Sequence, residues 1–265
     1  MSQAHTVWGL RRRPVSLPRG VIPVTADLGL VASLEELPAG IDAVFYMASP
    51  GGPDDGYYRA AYVDGLSNLL AVLDRRGERP KRIFLVSSTA VYAQDDGSWV
   101  DESSPTEPTH FSGKRLLEAE ELLRSCPFAA TIIRFGGIYG PRRVRLIENV
   151  RAGRAVYRKS PPQWTNRIHR DDCAGVLQHL MRLERPASVY LGVDCEPAED
   201  GAVLRWLAGV LGAPTPRAVR AGDPGLRSMR GGNKRCRNDR LVESGYRFRY
   251  PTFREGYRAV IEELV

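Results

Sequence analysis

Short apolar runs rich in β-branched residues, separated by segments of helical periodicity, constrain the fold of this chain most strongly. Five such runs predict strands at residues 6–10, 21–26, 43–48, 82–88 and 130–135. They are continuous rather than alternating, as expected of strands buried on both faces. Strands that alternate with helices favour a parallel sheet covered on both sides. The sequence therefore predicts an α/β fold with a doubly wound parallel sheet.

Helical spacing fills most of the chain between these runs. Apolar residues recur every three or four positions in segments 54–76 and 112–124. Further helices are predicted at 146–152, 172–183 and 198–211, a strand at 188–193, and a last helix that follows Pro251 and reaches Leu264. Pro, Gly and Arg without periodicity predict a loop from Pro214 to Gly232. Asn238 is expected to N-cap a short helix that ends at Val242.

Composition narrows the class of protein. The chain has 265 residues, 43% of them hydrophobic and 26% charged, which suits one large soluble α/β domain with a small lobe. No apolar run of about 18 residues and no signal peptide is visible, so we expect no membrane partner. Four widely spaced cysteines without a CxxC pair favour reduced thiols, a cytoplasmic location and no metal site.

The chain is basic, with a net charge of +7. Of its 38 lysine and arginine residues, 34 are arginine. A basic surface attracts nucleic acid or phosphorylated ligands. The arginines are scattered, however, and no aromatic residues interleave them in a stripe. We therefore expect no nucleic-acid partner, although a basic nucleic-acid-binding protein stays an alternative.

Four segments, in this order, carry a family resemblance. They are RIFLVSSTAVY at 82–92, FSGK at 111–114 followed by Glu118, RFGGIYGP at 134–141, and NRIHRDD at 166–172. From about Val7 to the C-terminus the chain resembles the extended short-chain dehydrogenase/reductases, especially the atypical NAD-dependent epimerase/dehydratase-like proteins. The resemblance implies a single Rossmann-like domain over 1–265, with substrate-lobe segments at roughly 141–170 and 195–265. It also implies NAD or NADP as cofactor and a small-molecule substrate.

The resemblance assigns catalytic roles to three residues. Ser88, at the end of a strand, matches the serine that binds the substrate oxygen; the alternative is a hydroxyl that only caps the strand end. Lys114 matches the lysine that holds the nicotinamide ribose. The family's tyrosine four residues before that lysine is absent, and His110 occupies its position. His110 either relays a proton or is a solvated histidine at a helix start. Tyr92 is expected to pack beneath the strand edge, and the alternative is that it substitutes for the absent tyrosine.

Cofactor contacts are implied at the ends of the early strands. An arginine after the second strand of a Rossmann domain suits the 2′-phosphate of NADP, where an acid would suit NAD. The run Arg11-Arg12-Arg13 therefore favours NADP slightly; a solvated basic loop is the alternative. The residues that the resemblance places against the cofactor are Arg11, Arg12, Asp27, Leu28, Ala48, Ser49, Ser87 and Lys114.

Substrate contacts are implied by the segment that precedes the Asp-Asp pair. Arg167 in that segment has a planar fork suited to a phosphate or carboxylate. Asp171 and Asp172 are expected to open a helix rather than to bind substrate. The implied substrate residues are Thr89, Trp164, Asn166, Arg167 and His169.

The family's opening strand, glycine-rich turn and helix do not precede Thr6 in this sequence. That unit holds the cofactor pyrophosphate, and in strand order 3-2-1-4-5-6 its strand lies in the middle of the sheet. We therefore expect an N-terminally truncated Rossmann-like fold, with two inner strands left unpaired unless they pair directly or another chain donates a strand. Three explanations compete: a misassigned start or shortened chain, a decaying gene copy, or a genuine minimal variant with a non-enzymatic role.

Two functions follow as hypotheses. The first is an NAD(P)-dependent epimerase/dehydratase-like oxidoreductase that acts on the hydroxyl or carbonyl of a nucleotide-sugar-like substrate. Its cofactor binding is expected to be impaired, because the glycine turn that binds the pyrophosphate is missing. The second is a non-catalytic ligand-binding or regulatory protein on the same fold, which the absent tyrosine and glycine turn both favour. The resemblance also suggests a homodimer built on helices 54–76 and 111–125.

Overall fold

The computed structural model describes residues 5–13, 16–223, 225–226 and 232–264. The chain divides into two compact units. The first comprises Met1–Val86 with His110–Ile132, and the second comprises Ser87–Thr109 with Ile133–Val265. No helix in the described ranges combines the length and apolar character needed to cross a bilayer.

The elements alternate along the chain as predicted. The first part contains β1 (Val7–Arg11), β2 (Val21–Thr25), α1 (Val31–Leu34), β3 (Ala43–Tyr46), α2 (Asp55–Tyr58), a π-helical segment (Arg59–Asp64), α3 (Gly65–Arg75), β4 (Arg82–Ser88), a 3₁₀ turn (Thr89–Val91), β5 (Trp99–Val100) and α4 (Phe111–Ser125). The second part contains β6 (Ala130–Phe135), β7 (Gly137–Tyr139), α5 (Arg145–Arg151), β8 (Val156–Arg158), β9 (Trp164–Thr165), β10 (Arg167–His169), α6 (Arg170–Arg182), β11 (Val189–Gly192), β12 (Ala198–Glu199), α7 (Asp200–Leu211), β13 (Arg217–Val219), β14 (Arg235–Cys236), α8 (Asp239–Glu243) and α9 (Phe253–Glu262).

The central sheet has four strands in the order β11-β6-β4-β3, and β3 runs parallel to β4. Strands β1 and β2 form a separate parallel pair, from Val7 opposite Val21 to Arg11 opposite Thr25. The prediction of an α/β, Rossmann-like parallel sheet is confirmed, and all five predicted strands are present within two residues of their predicted bounds.

The sheet is interrupted where the predicted order places the innermost strand. In the described part of the chain, β1 is hydrogen-bonded only to β2, and β3 lies at the edge of the four-stranded sheet. The two flanking strands therefore do not pair directly. Burial follows the same division: every residue of β11 is buried, whereas β1 has only half-buried and exposed residues. The truncated fold stays a prediction, and this arrangement favours it.

Four local predictions need correction. The helix predicted at 54–76 is divided by the π-helical segment. The helix predicted from 198 begins at Asp200, because Ala198 and Glu199 pair with β9 instead. Strand β13 lies within the predicted loop 214–232, because it pairs with β8; residues 224 and 227–231 of that loop lie outside the described residues. Asn238 precedes α8 without capping it, since its side chain bonds Val193 O and Cys195 Sγ.

The second unit has its own apolar core. Helices α5, α7 and α9 contribute buried residues to it: Ile147, Val150, Val203, Leu204, Leu207, Phe253 and Val260. Burying a side chain of this size contributes about 1.5–3 kcal/mol. Tyr139 of β7 belongs to this core, and helix α9, which contributes Phe253 and Val260 to it, also contacts β10.

Candidate functional site

Hydroxyl groups occupy the C-terminal end of β4, as predicted. Ser87 and Thr89 are buried, and Ser88 is half-buried. The Ser88 Oγ accepts a hydrogen bond from Ala90 N at 3.2 Å and so caps the 3₁₀ turn that follows. A hydroxyl that accepts one hydrogen bond can also donate one. Capping and a substrate contact are therefore compatible at Ser88, whose substrate role stays a prediction.

Tyr92 lies in the interior of the second unit. Its hydroxyl donates to Asp101 O at 2.7 Å and accepts from Arg134 Nη1 at 2.7 Å. Burial raises the pKa of Tyr92 to about 12, against the opposing effect of the Arg134 charge. A phenol with such a pKa exchanges protons poorly near neutral pH. Tyr92 is thus a packing residue, as the sequence led us to expect.

His110 and Lys114 lie in the first unit, at the start of α4. His110 is the N-cap residue, and its Nδ1 accepts a hydrogen bond from Ser112 N at 3.2 Å. Because Nδ1 accepts, the neutral ring carries its proton on Nε2. The ring also packs against Phe111 in a tilted arrangement, with centroids 4.2 Å apart. Both His110 and Lys114 are exposed, so the structure gives His110 a capping role and leaves proton relay a prediction.

The residues predicted to contact adenosine follow β1, β2 and β3 in the first unit. Arg11 and Asp27 are brought close together, because Ala26 N donates to Arg11 O at 3.1 Å. Asp27 Oδ1 accepts from Gly29 N, and Asn68 Nδ2 donates to Leu28 O. Arg12 is exposed and its Nη2 lies 3.8 Å from the position of a Cβ on Gly51, in the loop after β3.

This half of the first unit fits one end of a dinucleotide. Exposed guanidinium groups and the Asp27 carboxylate suit an adenosine ribose and its phosphate. Among the described residues, the loop from β3 to α2 contains Gly51 and Gly52, but the helix that follows opens with the acidic Asp55, and no turn with the family's G-x-x-G-x-x-G spacing joins a strand to a helix as a cradle for the pyrophosphate. Cofactor contact by Arg11, Arg12, Asp27 and Leu28 therefore stays a prediction, and the described residues show no cradle for the pyrophosphate.

The predicted substrate segment is integrated into the second unit. Asn166 uses both ends of its amide, donating to Lys234 O and accepting from Cys236 N. The Trp164 indole stacks on the Arg235 guanidinium, 4.9 Å from the ring centroid. Substrate contact by these residues and by Thr89 stays a prediction.

Arg167 and His169 of the same segment are buried. The Arg167 guanidinium lies 3.9 Å from Asp200 Oδ1 and above the Phe253 ring. His169 caps α6 by accepting from Asp171 N, and burial lowers its pKa. Asp171 and Asp172 lie in the first turn of α6, as expected. The observed contacts of Arg167 and His169 are therefore internal, and their substrate role also stays a prediction.

A buried polar cluster lies beside β7 and β10; sequence analysis named His169 as a candidate, but assigned no role to Tyr139 or Asp194. Tyr139 Oη, His169 Nε2 and Asp194 Oδ2 are all buried without a hydrogen-bond partner among the described residues. The Tyr139 and His169 rings meet edge to face, with centroids 5.4 Å apart. Burial raises the pKa of Asp194 to about 8, although the charge of Arg167 opposes the shift.

Lys234 is a second side chain that sequence analysis missed. It is 1% exposed, and its Nζ donates to Tyr92 O at 3.3 Å. Burial lowers its pKa. Nothing near Lys234 in sequence signals burial, because the residues that cover it come from distant segments. In the part of the chain that the structure describes, no group of three or more metal-ligating side chains occurs.

Comparison with known proteins assigns the family. The model of a family described as NAD(P)H-binding matches residues 1–182, more than half of the chain. The chain belongs to this NAD(P)H-binding family. The resemblance drawn from the four sequence segments is thereby confirmed.

Relatives of the family match most of the chain. Protein YeeZ of Escherichia coli K12 is 28% identical over 232 residues, which cover 84% of this chain and 77% of YeeZ. A structure from Methylobacillus flagellatus, named for an NAD-dependent epimerase/dehydratase, is 34% identical, with a TM-score of 0.80 over 99% of this chain and 91% of its own. MoeE5, solved with UDP-glucuronic acid and NAD, is 22% identical, with a TM-score of 0.77 over 98% and 91%, and shares the fold.

Proposed function

We propose that this protein is an NAD(P)-dependent oxidoreductase of the epimerase/dehydratase type. Its substrate is a small molecule with a hydroxyl or carbonyl group, in the class of nucleotide sugars. The observation that carries the proposal is the hydroxyl-bearing C-terminal end of β4 in a sheet of this family, because ligands of open α/β sheets bind beyond such strand ends. MoeE5, which shares the fold, was solved with a nucleotide sugar.

The proposed roles fall on three side chains. The Lys114 ammonium donates hydrogen bonds to the nicotinamide ribose, and the Ser88 hydroxyl donates to the reacting oxygen of the substrate. His110 or a water molecule would move the proton to or from that oxygen as its charge changes. Bound nicotinamide supplies the hydride chemistry. Since the pyrophosphate cradle is not among the described residues, we expect cofactor affinity to be low in this form of the chain.

The cofactor proposal has a direct test with NADPH and NADH in isothermal titration. We expect NADPH to bind more tightly, because Arg11, the last residue of β1, and Arg12, which follows it, are guanidinium groups suited to a 2′-phosphate. Arg12→Ala should weaken NADPH binding about tenfold, or ~1.4 kcal/mol, and leave NADH binding unchanged. Arg19→Ala is the matched control, since Arg19 is an exposed arginine that precedes β2. Because the expected affinity is low, the titration extends to millimolar dinucleotide, and absence of heat with both dinucleotides there would refute the cofactor proposal.

A non-catalytic ligand-binding role is the second candidate. It is favoured by the observation that His110, at the position of the family tyrosine, caps α4 through its Nδ1. This role implies that a dinucleotide or metabolite raises the melting temperature without any change in nicotinamide absorbance. Turnover that disappears in Lys114→Ala would exclude it. We also propose that the protein is a homodimer and is located in the cytoplasm. Light scattering tests the homodimer.

A further inference from the structure

A cavity of about 280 Å³ lies within the second unit. Strands β8 and β13, the start of α7 and the segment 159–163 enclose it. Its polar lining consists of Tyr157, Arg158, Lys159, Gln163, Glu199 and Arg205. None of these residues belongs to the predicted cofactor or substrate set, so the cavity requires an explanation of its own.

The lining carries an excess of positive charge. Arg158, Lys159 and Arg205 face a single acidic residue, Glu199. Helix α7 begins at Asp200, directly after Glu199, so its N-terminal amides add to the positive potential at this end. A small anion would therefore gain favourable electrostatic energy in the cavity.

Arg158 gives the charge a specific location. Its Nε and Nη2 atoms are buried, yet they have no hydrogen-bond partner among the described residues. Buried guanidinium nitrogens are nearly always hydrogen-bonded in proteins. The Nε and Nη2 groups of arginine form one edge of a planar fork that matches the two oxygens of a phosphate or carboxylate.

The shape of the cavity depends on Tyr157 and Gly201. The Tyr157 ring packs so closely on Gly201 that a Cβ there would lie 2.5 Å from ring atom Cδ2. Arg205 lies one turn later on α7, and its guanidinium carbon is 5.0 Å from the centre of the same ring. A glycine at 201 thus allows the ring to hold Arg205 beside the cavity through a cation–π contact.

We propose that this cavity binds the anionic group of a small acidic ligand, a phosphate monoester or a carboxylate. Arg158 supplies the bidentate contact, and Arg205 and Lys159 supply further charge. The volume is at the lower end for ligand pockets, so it suits a ligand of about the size of a phosphorylated sugar. The site uses neither Ser88, His110 nor Lys114, and it goes beyond the proposed redox function.

Isothermal titration in the absence of dinucleotide tests the site. The result does not depend on cofactor binding or turnover, so it stands even if the proposed redox function is wrong. The probes are glucose 6-phosphate, glucuronate and neutral glucose. We expect at least one of the two anions to bind and glucose not to bind. Arg158→Gln and Arg205→Gln should each weaken anion binding at least tenfold. Arg185→Gln, whose side chain is 91% exposed, is the matched control and should bind as the parent does.

Folding of the variants is checked by melting temperature and far-ultraviolet circular dichroism. If Arg158→Gln does not fold, the exposed Arg205 still provides the test, because its side chain lies on the surface of α7. Equal binding of glucose and the anions would overturn the proposal. So would absence of binding by both anions, or anion binding that neither Arg158→Gln nor Arg205→Gln reduces.

Discussion

At the scale of single residues, Asp194 is the clearest source of pH dependence. Its folded-state pKa of about 8 exceeds the ordinary value of 3.8 because the carboxyl is buried. Between these two pH values the folded protein retains a proton that the unfolded chain releases. The free energy of unfolding therefore falls as pH rises from about 4 to 8, by at most ~1.4 kcal/mol per pH unit.

Asp194→Asn should remove this dependence, since an amide does not ionise and still accepts from Glu196 N. We expect the melting temperature of the variant, relative to the parent, to increase steadily between pH 5 and pH 8. Asp96→Asn is the control. Hydrogen bonds from Ser98 lower the pKa of that exposed carboxyl, so the melting-temperature difference between this variant and the parent should stay constant from pH 5 to pH 8. A difference between Asp194→Asn and the parent that is constant with pH would contradict the assignment.

At the scale of elements, two variants at the N-terminus of α4 distinguish the capping role of His110 from its proposed proton transfer. His110→Ala removes the acceptor for Ser112 N and should lower stability by ~1 kcal/mol. His110→Asn keeps a side-chain oxygen that can cap the helix, but it cannot relay a proton. Denaturant unfolding and turnover are measured on both variants.

The comparison of the two variants decides the role. If capping is the only role of His110, Asn should restore both stability and any turnover that the parent shows. If His110 also transfers a proton, Asn should restore stability and leave turnover as low as in the Ala variant. Equal stability of the Ala variant and the parent would exclude the capping contribution.

At the scale of the whole molecule, the interruption between β1 and β3 should be visible in amide hydrogen exchange. Among the strands that the structure describes, β6 has hydrogen-bonded neighbours on both sides, whereas β1 and β3 each have one. Alternate amides of β1 and β3 should therefore exchange much faster than those of β6. Protection of β1 and β3 equal to that of β6 would mean that another strand pairs with them.

The local elements were largely predictable. Strands β4 and β6 were placed correctly because continuous β-branched runs are distinctive over a few residues. The failures at β12 and β13 have a different cause: Ala198 and Arg217 have ordinary neighbours, and only their pairing with β9 and β8 makes them strand residues. Short strands of this kind depend on partners far away in sequence.

The candidate site was predictable in part. Motifs predicted roles for Ser88 and Lys114, and these roles stay predictions; the structure shows the two residues at a strand end and at a helix start. The cavity around Arg158 was not found, because arginine is common throughout this chain. An arginine with buried, unpartnered nitrogens looks no different in sequence from one on the surface.

The amino-acid sequence alone determined the succession of strands and helices along the chain, and it determined the family. Both follow from periodicity and short motifs, which are local properties. Tertiary structure decided which strands pair, which carboxyl is buried, and where positive charge encloses a cavity. Those properties depend on how segments separated by tens of residues exclude water from one another. Asp194 and Arg158 owe their chemistry to that burial and not to their neighbours in the chain.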